Sequence, residues 1–254
     1  MVSALMFFTS RLVKEVPPIP AAVKSESGEL LYTYDDVVEG KGYYQQFDLQ
    51  DYGTLLGMGA YLGPDFTTES FHRRVEFLYE QYAQETYGVP ADQMTDSQSA
   101  YVKELVKADF DSITLETGEI VYSDASASAY HANVDFWVDF LVNGERERGW
   151  VGGVIRVDEA AKIAVFFDWS QLVASSIRPG TDRTWSNNWP PEPLIDQDIE
   201  YSNHAISLWQ FLLLWVGTIV VLFWAYEFLV KRGDEETLEP QLTITELFPS
   251  QKKL

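Results

Sequence analysis

The chain has no cysteine among its 254 residues. That excludes disulfide staples, thiolate metal sites, a catalytic thiol and covalent haem attachment through CxxCH. Histidine is scarce. His72, His131 and His204 stand far apart, and none has a second ligand at HxxxH or HExxH spacing, so each reads as a surface or hydrogen-bonded residue. Positive charge is short as well: 18 Lys and Arg against 39 Asp and Glu leave a net charge of −21. Nucleic-acid binding needs a basic footprint and is excluded on that ground. Long apolar runs are equally rare, and only one has membrane length.

That run is Ala205 to Tyr226, 22 residues without a charge. At 1.5 Å per helical residue it reaches roughly 33 Å, enough for a hydrocarbon core of about 30 Å. Polar residues at every turn, the mark of a buried soluble helix, are missing from it. Lys231 and Arg232 follow directly, which by the positive-inside tendency puts the C-terminus in the cytoplasm and the larger preceding domain outside. Just ahead of the run stands Trp185-Ser186-Asn187-Asn188-Trp189-Pro190-Pro191-Glu192-Pro193-Leu194-Ile195. Three prolines stiffen this arm and its indoles suit a headgroup layer. We expect Trp185, Asn187, Asn188, Trp189 and Pro190 to dock against a partner. Met1 to Phe8 is apolar but too short to span, and it lacks the positive start of a signal peptide.

The acids are spread through the chain (Asp35, Asp92, Asp111, Asp139 and Asp196 among them) rather than gathered in a block. Spread favours a general adaptation to high salt, a halophile's surface, over one acidic docking face. With 46% hydrophobic and 15% aromatic residues a real core is expected.

Periodicity predicts a mainly α fold. A short helix covers Tyr34 to Tyr44, interrupted by Gly40 and Gly42. A second starts from Thr67 as cap, carries Phe71, Val75, Leu78 and Tyr82, and ends at Gly88 and Pro90. Thr95-x-x-Gln98 is a capping box before another. Ile113 to Val121, with Thr117-Gly118 at its centre, reads as a small β-hairpin. Further helices run from about Ser126 to Val142 and from Asp158 to about Ile177. No chemistry-bearing constellation emerges. Gly57-x-Gly59 fits no phosphate loop, Met58 reads as packing rather than a haem ligand, and Asp135 with Asp139 reads as a solvated face.

Several stretches nevertheless resemble, in order, the N-terminal part of quinol-type nitric oxide reductases of the haem–copper oxidase superfamily. They are Pro17-Pro18-Ile19-Pro20, Tyr34-Asp35-Asp36-x-x-Glu39-Gly40, Gly57 to Phe66, Phe71-His72-Arg73, Phe166-Phe167-x-Trp169, Arg178-Pro179-Gly180 and Ser186 to Leu194. The resemblance implies an extracytoplasmic, cytochrome c-like domain without haem, with Tyr43-Tyr44-Gln45-Gln46 where CxxCH is absent. Met58 departs from the histidine usual in the family's glycine loop, so no role of that histidine carries over.

The family's catalytic bundle, with haem b and non-haem iron, lies beyond these 254 residues. Either a separate polytopic chain supplies it, or this is part of a longer reading frame. The expected organisation is an apolar stub and proline-rich stretch (1–30), the cytochrome c-like domain (31–198), one transmembrane helix (205–230) and a cytoplasmic tail (231–254). The function implied is a membrane-anchored structural part of an enzyme that reduces two nitric oxide molecules to nitrous oxide. Electrons would come indirectly from the quinol pool, and this part would bind no cofactor and hold no catalytic or metal-ligating residue. Two rivals remain: a stand-alone anchored binding or structural domain, and an accessory subunit of a related oxygen reductase.

Overall fold

The computed structural model describes residues 16–56, 62–181, 183–186 and 192–196, and a helix over 201–237 with side chains at 210–230. Two units arise, divided after Ile199.

The first unit is helical with small sheets. Strands β1 (Ala22–Ser25) and β2 (Leu30–Thr33) form an antiparallel hairpin, and β3 (Glu119–Tyr122) adds to β1 in parallel, giving the order β2-β1-β3. Helices follow as α1 (Tyr34–Gln46), α2 (Leu49–Tyr52), α3 (Phe66–Tyr87), α4 (Asp96–Asp111), α5 (Asp124–Asn143) and α6 (Val157–Ser175). A two-residue hairpin, β4 (Gly144–Glu145) with β5 (Trp150–Val151), joins α5 to α6. The last described element of this unit is a 3-10 turn, Pro193–Ile195. The fold class is the expected one, mainly α with small β elements.

Three local expectations need correction. Gly40 and Gly42 do not interrupt α1, which runs unbroken from Tyr34 to Gln46 because Gly40 packs directly against α6. The hairpin is not at Ile113 to Val121. Only Glu119–Tyr122 is a strand, while Ile113 and Leu115 are buried in irregular chain, drawn there by the core rather than by a strand partner. The true hairpin is β1–β2, closed by the residues around Gly28, whose φ of 90° suits glycine. The central strand of the sheet thus comes from residues ahead of Leu31. The cap of α3 is Asp65, which accepts from Thr68 N at 2.9 Å, not Thr67, whose hydroxyl is buried against Ser170 at 2.8 Å. The Thr95/Gln98 capping box forms as its spacing requires.

α1 and α6 pack directly on each other, and Gly40 permits the close approach. A β-carbon there would run into the Lys162 carbonyl and approach Phe166 Cβ at 3.0 Å. Lys162 also bridges to Asp36 and, at 2.9 Å, to Glu39 across the same crossing. Around it lies one large core, in which Val23, Leu49, Phe66, Leu115, Trp137, Leu141, Ile163 and Phe167 are essentially inaccessible. A smaller cluster of Phe71, Val75, Leu78, Val106, Phe110 and Ile195 joins α3 to α4 and to the Pro193–Ile195 turn.

The second unit is the helix α7 (Tyr201–Thr237). Within it Gln210–Val230 has a mean hydropathy of 2.0 and no side-chain burial, so it is long and apolar enough to cross a membrane.

Candidate functional site

The interior between α1, α3, α5 and α6 is filled by aromatic rings. Phe66 and Phe167 stack at 4.4 Å between centroids, Trp137 meets Phe167 edge-on at 4.9 Å, and Tyr44 meets Phe166 at 5.4 Å. Burial pushes the Tyr44 hydroxyl up to about 12, so it stays a neutral phenol. The indole N–H of Trp137 donates to Ser70 Oγ at 2.8 Å and the Asn133 amide donates to Ser70 O at 2.9 Å, which fixes these rings to α3.

Beside this stack lies a buried ionic network. Asp168 on α6 accepts from the hydroxyls of Tyr32 and Tyr122, both at 2.8 Å to Oδ2. Its Oδ1 stands 3.8 Å from Arg74 Nη1, close enough for charge attraction but too long for a hydrogen bond. Arg74 is fully buried, donates to Ser126 Oγ at 2.7 Å, and lies over the Tyr122 ring at 4.4 Å. Asp109 extends the network, accepting from Tyr82 at 2.7 Å, Ser123 at 2.6 Å and Ser126. Burial holds the Asp168 carboxyl above its ordinary range, against the pull of Arg74, Tyr122 and Tyr32. Burial also works against the Arg74 charge, but Tyr122, Asp168 and Asp109 outweigh it and the guanidinium stays charged. The network can hold β2, β3, α3, α4, α5 and α6 together. It offers no nucleophile facing a cavity.

A second polar contact ties down the end of the domain. His72 Nδ1 lies 2.7 Å from Glu192 Oε2, and Nε2 lies 3.3 Å from Glu76 Oε1. Partial burial disfavours the charged ring, yet the hydrogen bond and charge of Glu192, with Glu76 and Glu69 behind, lift the imidazole above its ordinary value. Glu192 is only 2% exposed and its Oε1 accepts from Leu194 N at 3.1 Å. Lys103 holds Asp196 at 2.9 Å, one residue past the buried Ile195.

Of the expected docking residues, Trp185 is half-buried against the main core under Arg178, whose guanidinium lies 5.6 Å from the ring and donates to Trp185 O at 2.6 Å. Asn187, Asn188, Trp189 and Pro190 lie outside the described residues, as does Met58. His131 pairs with Glu29 at 3.2 Å on the surface. Among the described residues, no group of three or more His, Cys, Asp and Glu could hold a metal ion.

A family model for the cytochrome c-like domain of the nitric oxide reductase protein NorB matches residues 20–191, more than half of the chain. The chain belongs to this family. No curated protein matches it. A cytochrome c-like domain raises the question of haem, and the residues of this NorB domain do not fit one held covalently. No thiol exists, Tyr43 and Tyr44 stand where the resemblance would put the attachment, and aromatic rings occupy the interior. Reading the sequence alone missed Arg74, Asp168 and Glu192. Asp168 had a legible signal, a lone charge inside Phe166-Phe167-Asp168-Trp169, since a charge in an apolar run demands a buried partner.

Proposed function

We propose that this chain is the membrane-anchored, cofactor-free N-terminal portion of a nitric oxide reductase. The complete enzyme reduces two nitric oxide molecules to nitrous oxide with electrons drawn from quinol. This portion caps the outer face of a polytopic catalytic core that carries haem b and non-haem iron, and takes no bond-making part itself. The observation that carries the reading is the NorB match over residues 20–191, followed in the same chain by one membrane-length apolar helix. Lys231 and Arg232 after that helix favour a cytoplasmic C-terminus and an outward-facing domain.

Docking on the core falls to Trp185, Asn187, Asn188, Trp189 and Pro190. In support, the domain holds this arm at both ends. Trp185 packs under Arg178 on one side, and Glu192 is fixed by His72 on the other. A segment fixed at both ends gives up less freedom when it binds a partner.

Affinity purification of the tagged chain from its native membranes tests this. A polytopic partner carrying haem should co-purify, and the double variant N188A/W189A should lower its recovery while the domain's fluorescence-detected unfolding stays unchanged. Recovery of the chain alone would overturn the reading in favour of a stand-alone anchored domain. Unchanged recovery with the double variant would remove the docking role of the arm.

A further inference from the structure

Three contacts of different kinds hold the segment 192–196 to the domain. Ile195 is 1% exposed and sits in the smaller cluster with Phe71, Val75, Val106 and Phe110. Beside it, Lys103 of α4 binds Asp196 at 2.9 Å. The third contact joins His72 of α3 to Glu192, 2.7 Å from Nδ1 to Oε2. Only this one contains an imidazole, the side chain whose ordinary midpoint lies near neutrality.

Glu192 is 2% exposed, and among the described residues His72 is its only cationic partner. Its other oxygen, Oε1, accepts from Leu194 N at 3.1 Å, a bond made within the segment itself. A charged imidazole therefore balances the buried carboxylate. A neutral one keeps at most the hydrogen bond and leaves the charge uncompensated. The His72 side chain is 43% exposed, so its proton can exchange with water while the domain stays folded.

The charges around the ring favour the proton. Glu76 Oε1 lies 3.3 Å from Nε2 one turn on, and Glu69 stands one turn back on α3. Arg73 at 2.8 Å and Arg148 at 3.2 Å offset part of the Glu69 charge, and Arg73 also lies over the Phe136 ring at 3.3 Å. Partial burial opposes the charge on His72. The bond and charge of Glu192, then Glu76 and Glu69, outweigh it and lift the imidazole above its ordinary value of 6.5.

We propose that His72 and Glu192 form a pH-sensitive latch that closes the segment 192–196 onto α3 and α4 when the ring is protonated. The closed segment binds that proton more tightly than the open one. Closure is therefore strongest below about 6.5, the midpoint of a free imidazole, and weakens as pH rises through the higher midpoint of the closed state. Opening frees one of the two fixed ends of the arm that precedes Glu192 in sequence. The latch lies wholly within the domain, so its test stands apart from the function proposed above.

The lack of native cysteine makes an introduced thiol unique. In the full chain in detergent micelles, I195C places one where dithiodipyridine reaches it only when the segment opens. Dividing the labelling rate at each pH by that of the same variant in urea removes the thiol's own ionisation. Opening should rise several-fold from pH 5.5 to 8.5. Adding H72N, which keeps an amide donor near the Nδ1 position but cannot ionise, should hold opening at its high-pH level throughout. Adding E192Q, which needs no counter-charge, should also abolish the rise. Proton NMR of the otherwise unmodified chain, with only three histidines to assign, should give His72 a midpoint above 6.5 that falls in E192Q. Linkage ties the two readouts: each unit by which closure raises the His72 midpoint permits at most about a tenfold rise in opening. A flat profile in I195C, the same rise with H72N, or a His72 midpoint unmoved by E192Q would each overturn the latch. If I195C does not fold, the NMR titration decides alone, and a His72 midpoint at or below 6.5 overturns the proposal.

Discussion

Arg74 and Asp168 show how a single residue can carry much of this domain's specificity. Both sit in the interior, where an unpaired charge is far more costly than an unpaired apolar group. Two tyrosine hydroxyls and the ring face of Tyr122 replace the water each charge has lost. Replacing Arg74 with Met keeps the volume roughly constant but strands the Asp168 carboxylate. The R74M variant should lose about 3–5 kcal/mol, the usual consequence of removing one partner of a buried pair. Urea unfolding followed by tryptophan fluorescence reads this as a lower midpoint with an unchanged slope. The double variant R74M/D168N should recover part of the loss, because neither charge is then left alone. A loss below about 1 kcal/mol for R74M would place the pair with ordinary exposed bridges and remove its structural role.

Among the elements, the α1–α6 crossing depends on one missing side chain. Gly40 and Gly42 are two residues apart on the same helix, yet only the first meets a neighbour: Gly42 has nothing within 4 Å of its would-be β-carbon. In the sequence the two look alike, both helix-weakening. The structure separates them. G40A should force α1 off α6 and cost on the order of 1–3 kcal/mol by overpacking. G42A should be neutral or stabilising by up to about 1 kcal/mol, since alanine loses less backbone entropy in a helix. Thermal unfolding of the two variants side by side checks this, and equal midpoints would contradict the close crossing. The misplaced hairpin belongs to this scale as well. Ile113 to Val121 has strand-like residues around a turn dipeptide, but β3 finds its partner in β1, almost a hundred residues earlier. Local pattern cannot reveal a parallel partner, because the pairing is made only when the chain folds back.

For the whole molecule, charge is the dominant quantity. A domain holding most of 39 acids feels its own repulsion, which mobile ions screen over about 10 Å at 0.1 M and about 3 Å at 1 M salt. The melting midpoint of the full chain should therefore rise between low and molar potassium chloride. A flat or falling midpoint would show that the acids are locally compensated, as Lys24–Glu119 and Lys103–Asp196 are. Family membership was legible from motifs scattered over nearly the whole chain, and the NorB match covers residues 20–191. The helix long and apolar enough to cross a membrane was legible as well, since length and lack of charge are properties of consecutive residues. So was the absence of thiols, with what it means for covalent haem. Tertiary structure alone decided that Phe66, Phe167 and Trp137 share one stack, that Arg74 finds Asp168, that Glu192 is held by His72, and that Trp150 turns inward while Val151, Val154 and Val157 face out. The first three of these join residues far apart in the chain. Composition and periodicity report what a residue needs, burial or a partner, but only the folded backbone brings the two halves of such a pair within a few ångströms.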